Sequence, residues 1–291
     1  MAGPRLTRIG ARGADVVVRE WGNVDGRPLV FWHGLNPFGA LQLNEAGPAW
    51  AERGFRVVAP SAPGLGETPA FADLEEYRPT RLADLVVDLS ERLELERFDY
   101  VGWSWGASIG VHLAARHGSR LTALVLLDAG HSDAQDLPGW TESTLGERIA
   151  ELEASPVTFA DWDALLSLAR ERATSWRPAL EERLRAGMHE QDGAVVPRGD
   201  VRAVAAALHG LGAEPPSSTL PALARLDLPI LLVLAARNDT TGPTERFRAE
   251  VPHAETVTVD SDHDLLSHAP EETIALVADW LARQRAQPRV A

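Results

Sequence analysis

The sequence predicts a doubly wound α/β fold, with a mostly parallel eight-stranded sheet and a helical insertion after the sixth strand. Three observations carry this expectation. Short continuous apolar runs, such as Leu124-Val125-Leu126-Leu127 and Ile230-Leu231-Leu232-Val233-Leu234, suit strands buried on both faces. Amphipathic stretches separate these runs, as right-handed strand–helix–strand crossovers require. One long segment, from about His131 to Asp227, breaks the alternation and is helical in character.

Taken in order, the elements are as follows. The segments Leu6 to Ala11 and Asp15 to Glu20 flank a Gly-containing turn and read as an edge hairpin. Apolar runs at Leu29 to Trp32 and Arg56 to Ala59 are the next strands. Leu82, Leu85, Val86, Leu89 and Leu93 then repeat at helical spacing, with Thr80 placed to cap the helix. A strand at Phe98 to Val101 leads into a helix from Trp105 to His117, and Leu124 to Leu127 is the sixth strand. The insertion contains helical patterns at Leu145 to Leu152, Trp162 to Ala173, Pro178 to Met188 and Val201 to Leu208. Pro138-Gly139, Gly193 and Pro215-Pro216 punctuate it. Strands at Ile230 to Leu234 and Thr256 to Val259 follow, then a stripe of Ile274, Val277, Ala278 and Leu281 on a last helix. The expected organisation is a core of residues 1–130 and 229–291 with a cap of residues 131–228.

Composition narrows the chemistry. The 291 residues carry 28 basic and 42 acidic side chains, a formal charge of −14. All the basic residues are arginine, and there is no cysteine. This excludes disulfides, thiolate metal sites, a cysteine nucleophile, a lysine Schiff base and the lysine-dependent phosphate loop. The acidic balance opposes a nucleic-acid or anionic-membrane partner. No apolar run approaches the ~20 residues of a membrane span. Met1 to Gly10 lacks the apolar stretch of a secretory signal, so the expected location is cytoplasmic. The expected partner is a small-molecule substrate, and oligomeric state is unreadable. An acidic chain also favours neutral or cationic substrates.

The strongest chemical signal is Gly102-Trp103-Ser104-Trp105-Gly106, lying between a strand and a helix. In that frame a G-x-S-x-G run forms a tight, strained turn that projects its serine at the carboxyl edge of the sheet. The helix behind it offers free N–H groups to a developing oxyanion. Serine needs a base within hydrogen-bond reach. Of nine histidines, His263 is best placed, in the loop after the last strand. His112 and His117 lie on the helix beyond the elbow, and His189, His209, His253 and His268 lack such a frame. The base needs an acid in turn. Two carboxylates end strands at the same edge. Asp239, in Arg237-Asn238-Asp239, is preferred because it yields the chain order Ser, Asp, His, and Asp128 is the alternative. Asp262-His263-Asp264 does not read as a cation site, because neighbours in one loop rarely converge, and no metal or cofactor is expected.

The chain resembles the α/β-hydrolase superfamily in its lidded fold-1 form. The resemblance spans about Asp15 to Leu281. It rests on His33-Gly34-Leu35, Pro63-Gly64-Leu65-Gly66, the Ser104 elbow, Asp239 and His263. It implies an oxyanion hole from the amides of Leu35 and Trp105, a structural His33, and a cap that sets substrate choice. Asn36, Trp103, Trp140 and Trp162 are then candidates to line the pocket. A Trp after the nucleophile is similar to the proline iminopeptidase elbow, but His33-Gly34-Leu35-Asn36-Pro37 departs from the His-Gly-Gly-Pro-Gly loop usual there. Serine at the nucleophile position argues against epoxide hydrolase and haloalkane dehalogenase chemistry, which use Asp. The expected activity is hydrolysis of an ester, lactone or thioester of a largely apolar substrate. One alternative is an aminopeptidase or amidase, with Glu181 or Glu182 holding the amine. The other is a ligand-binding, lyase or perhydrolase member of the same fold.

Overall fold

The computed structural model describes residues 3–286 except 138, 174, 175 and 239. The first half of the chain comprises β1 (Arg5–Ala11), β2 (Ala14–Trp21), β3 (Arg27–Trp32), α1 (Ala46–Glu52), β4 (Phe55–Pro60), α2 (Pro79–Arg92), β5 (Phe98–Trp103), α3 (Trp105–His117) and β6 (Leu121–Leu127). An insertion follows, with α4 (Leu145–Ala154), α5 (Trp162–Arg172), α6 (Pro178–Gly187), β7 (Met188–Gln191), β8 (Ala194–Pro197), α7 (Val201–Ala213) and α8 (Leu220–Leu223). The chain then returns to the sheet through β9 (Ile230–Ala235), α9 (Thr241–Glu250), β10 (Glu255–Val259), α10 (Leu265–His268) and α11 (Pro270–Ala286).

Eight strands form one sheet in the order β1-β2-β4-β3-β5-β6-β9-β10. The β1–β2 hairpin is antiparallel, β2 runs antiparallel to β4, and the remaining pairs are parallel. The central strands are buried along their whole length, which is why they appear as unbroken apolar runs. On one face, Trp50 of α1 and Val277, Trp280 and Leu281 of α11 pack over Phe31, Val101 and Val125. On the other, α2, α3 and α7 contribute Leu82, Ile109 and Ala206 over Trp32, Tyr100 and Leu124. No described helix is long and apolar enough to cross a membrane.

The register places the site. Trp32 pairs with Gly102, Trp103 with Leu127, Leu127 with Val233, and Ala235 with Val259. The parallel strands therefore end nearly level, and the loops after β3, β5, β6, β9 and β10 open on one edge. Doubly wound folds place their sites at this edge.

The structure departs from the sequence-based expectation in two places. Thr80 is not a cap: α2 begins with Pro79 at its first turn, and Thr80 donates its amide and hydroxyl to Glu214 at 2.9 and 3.0 Å. The insertion is also not wholly helical. β7 and β8 form a hairpin across Asp192-Gly193, whose φ values are 51° and 80°. This is the Asp-Gly turn of a two-residue hairpin. Its four-residue strands are too short to show alternation, so the preceding helix pattern obscured them.

The elbow depends on close backbone approach. A Cβ on Gly106 would lie 2.1 Å from the carbonyl oxygen of Trp32, and one on Gly102 would lie 2.3 Å from the carbonyl oxygen of Gly106. The neighbouring β3 terminus leaves no room to move aside. Gly106→Ala is expected to lower stability by about 1–3 kcal/mol or more in urea unfolding. Gly146→Ala, on the open face of α4 with nothing within 4 Å, is the control and should be neutral or stabilising by about 0.5–1 kcal/mol.

Candidate active site

Ser104 sits between β5 and α3 with φ 53° and ψ −119°, a conformation rarely adopted by a residue with a side chain. Its amide donates to the carbonyl of Leu127 at 3.0 Å, and its carbonyl accepts from Ala107 and Ser108 at 2.9 and 3.2 Å. The turn is thus held at both ends while the hydroxyl points outward. His263, in the loop between β10 and α10, meets that hydroxyl: Nε2 lies 2.8 Å from Ser104 Oγ. The other ring nitrogen, Nδ1, lies 2.7 Å from Asp128 Oδ2. An ionised carboxylate only accepts, so the proton of neutral His263 resides on Nδ1. Nε2 then offers its lone pair to the serine O–H.

Asp128 is therefore the carboxylate that orients His263. It ends β6 with φ 52° and is buried. Burying a carboxylate is costly unless donors surround it. Oδ1 accepts from the Ala235 amide at 2.8 Å, and Oδ2 accepts from Asn238 Nδ2 at 2.8 Å as well as from His263. Two of these donors come from the end of β9. The preferred sequence candidate, Asp239, lies outside the described residues. The β9 loop supplies donors to Asp128 through Ala235 and Asn238, and the one Nδ1 proton of His263 is already committed to Asp128. Chain order could not separate the two candidates, because Ser104, Asp128, His263 is also Ser, Asp, His. Asn238 was missed as a contributor, although it stands in the tripeptide that drew attention to Asp239.

The oxyanion candidates are backbone amides. Trp105 opens α3, where a first-turn N–H has no intrahelical partner. Among the described residues, neither the Trp105 nor the Leu35 amide meets a protein acceptor. His33 shapes the Leu35 loop. Its Nε2 accepts the Ala62 amide at 2.9 Å, and its Nδ1 donates to Gly34 O at 2.6 Å. Burial pushes its pKa down to about 4, opposed by the bond to Gly34, so the ring stays neutral.

The pocket candidates have other partners. Trp103 is buried. Its Nε1 donates to the carbonyl of His263 at 2.8 Å, and its ring lies 5.5 Å from the His263 ring. A Cβ on Gly34 would lie 2.4 Å from the Trp103 ring, so the indole is wedged between the oxyanion loop and the histidine. Asn36 is occupied within its own turn, bonded to Gly34 O, Gln42 Oε1 and the Phe38 amide. Trp140 stacks under Arg148 and faces Gly212. Trp162 lies under Arg185 and joins Leu165, Met188 and Val195 in a small core within the insertion. Other histidines have structural contacts: His112 to Glu214 O, His117 to Asp84, His209 to Ser143 O and His268 to Asp262. No group of three or more His, Asp or Glu side chains suited to a metal occurs among the described residues.

Such an arrangement suits one chemistry, activation of a serine hydroxyl beside free N–H donors. The alpha/beta hydrolase fold family matches residues 27–270, and the chain belongs to that family. A protein of Mycobacterium phage D29 named as a non-heme haloperoxidase is 34% identical over 138 residues, 46% of this chain and 48% of that protein. A 3-hydroxybutyrate-oligomer hydrolase of Cupriavidus necator is 30% identical over 167 residues, 54% of each chain. The chain thus spans about half the length of these curated relatives. Among solved structures, E-2-(acetamidomethylene)succinate hydrolase superposes with a TM-score of 0.76 at 21% identity, covering 96% of this chain and 99% of that one. That likeness is one of fold.

The buried neutral His33 sets a pH expectation. Its folded pKa of about 4 lies below the ordinary value near 6.5, so the unfolded chain takes up the proton first. Its contribution is complete above pH 6.5 and is lost as pH falls toward 4. The shift corresponds to roughly 3 kcal/mol. Urea midpoints measured from pH 7 to pH 4.5 should fall more steeply for the native protein than for His33→Asn.

Proposed function

We propose that this chain is a serine hydrolase that cleaves an ester, lactone or thioester bond of a small, largely apolar molecule through an acyl-enzyme. The observation that carries the reading is the continuous line of hydrogen bonds from Asp128 through His263 to Ser104, 2.7 and 2.8 Å long. Ser104 attacks the carbonyl carbon as His263 Nε2 takes its proton. Asp128 keeps the ring in the required tautomer and stabilises the imidazolium. The oxyanion is received by the amides of Leu35 and Trp105. His263 then protonates the leaving oxygen or sulfur and later draws a proton from water, which attacks the acyl carbon and releases Ser104. The Cupriavidus relative, named for hydrolysing an oligomer of 3-hydroxybutyrate, supports hydrolysis over ligand binding alone.

The aminopeptidase reading is weaker. Of the two carboxylates offered for a substrate amine, Glu181 and Glu182, Glu181 is already paired with Arg170 and Arg185 at 3.1 and 2.8 Å.

A panel of nitrophenyl esters, lactones, thioesters and a Pro-arylamide tests the proposal. Turnover should appear on the esters or thioesters and exceed that on the arylamide. Ser104→Ala should lower kcat by several orders of magnitude with binding intact. Asp128→Asn should lower it by about 10⁴-fold, by favouring the wrong tautomer. Undiminished ester turnover by Ser104→Ala would sink the assignment. Fluorophosphonate should label the native protein at Ser104 and leave Ser104→Ala unlabelled.

A further inference from the structure

The loop that carries His263 and the loop that carries the Leu35 amide belong to different strands, and each is also held from the insertion. Helix α6 makes the contacts. Arg183 Nη2 donates to Ser267 Oγ at 2.7 Å and reaches Asp264 Oδ2 at 3.5 Å. Its guanidinium lies 5.1 Å from the centre of the Phe38 ring, three residues beyond Leu35. Gly187, at the end of the same helix, is pressed onto that ring, since a Cβ there would lie 2.2 Å from it. Arg177, just before the helix, bonds Glu45 at 2.9 and 3.0 Å and the Ser267 carbonyl at 2.9 Å.

A second line of bonds joins the two loops directly. Gln42 Nε2 donates to Asp264 Oδ1 at 3.3 Å, and Gln42 Oε1 accepts from Asn36 Nδ2 at 2.8 Å. Asp264 is thus the junction. One oxygen receives Gln42 and the Ser267 amide, and the other receives Ser267 Oγ and Arg183. The Arg183 side chain is 12% exposed and that of Asp264 25%, so the pair is shielded more than an ordinary surface ion pair.

We infer that Arg183 and Asp264 form a clasp through which α6 fixes, together, the loop bearing the base and the loop bearing one oxyanion amide. Neither residue touches reacting atoms; both are positioning residues. The inference rests on the hydrolase reading for its consequence in rate. Its structural content, that one pair restrains two loops, stands independently. The clasp gives the insertion a role in chemistry besides covering substrate: the alignment of His263 and of Leu35 depends on α6 being seated. Misplacement of reacting groups by about 1 Å costs up to about 100-fold in rate, so a lost clasp is visible in kcat.

The test uses the full-length protein and the best ester from the panel. Arg183→Met keeps the aliphatic stem over Phe38 and removes the charge. Asp264→Asn keeps a carbonyl oxygen but loses the ion pair. Each single variant should lower kcat about 10- to 100-fold with KM changed less than about threefold. The double variant should fall little further than either single one. Arg183→Lys should restore part of the loss. In hydrogen exchange, Arg183→Met should speed exchange in peptides spanning residues 34–38 and 260–268 together. Unchanged kcat in both folded variants overturns the clasp. So does a rise in KM alone, which would mark Arg183 as a substrate contact. Faster exchange confined to α6 overturns it too. If the native protein turns over no ester at all, the hydrolase reading fails, and the exchange experiment alone then decides the clasp.

Discussion

The site depends on one constraint, the level termination of β3, β5, β6, β9 and β10. Two backbone bonds lock the central part of it: the Ser104 amide to Leu127 O, and the Asp128 amide to Val233 O at 2.8 Å. The first fixes the elbow to the end of β6, and the second fixes the end of β6 to β9. A slip of one residue in either ladder would turn the strand-end side chain to the other face. Ser104 and Asp128 both occupy positive φ at these junctions, which turns each side chain off the strand direction at the edge of the sheet. The strain at each is offset by the packing of strands buried on both faces.

The same edge explains how a buried acid is tolerated. Asp128 has three donors, and two of them exist only because β9 ends beside β6 and turns back over it. Arg237 extends this brace to the last strand: its amide bonds Ser261 O at 3.1 Å and its guanidinium reaches Asp260 at 3.1 Å. The loop with His263 is therefore tied below by the β9 turn, behind by the Trp103 indole and above by α6. Three supports on the loop that carries this imidazole suit a ring that meets two partners at once.

Much of this was legible in the sequence, for physical reasons. Strands buried on both faces leave short apolar runs, and their length, their β-branched content and the turn residues around them let the sheet be read element by element. The elbow announces itself because only glycine fits at positions 102 and 106. His263 stood out as the histidine in the loop after the last strand, and the structure brings it to Ser104. The acid was not legible, because in the sequence Asp128 and Asp239 each follow an apolar run, and both fit the chain order. What favours Asp128 is its long-range contact with His263, which no local pattern reveals. Within the insertion the β7–β8 hairpin was not legible. Its helices carry one small local core and several arginine–aromatic stacks, in which Trp162 and Trp140 take part, and the sequence marks neither. Gln42, Asp264 and Arg183 gave no signal, being ordinary polar residues far apart in sequence.

The half-open setting of His263 bears on the proposed chemistry. The His263 side chain is 45% exposed, so bulk water reaches the imidazole and weakens its field on Ser104. A preorganised site gains most of its electrostatic advantage when water is expelled. On the proposed hydrolase reading, that expulsion would fall to the incoming molecule: a broad apolar acyl group would shade the His263 ring, while an acetyl-sized one would leave it wet.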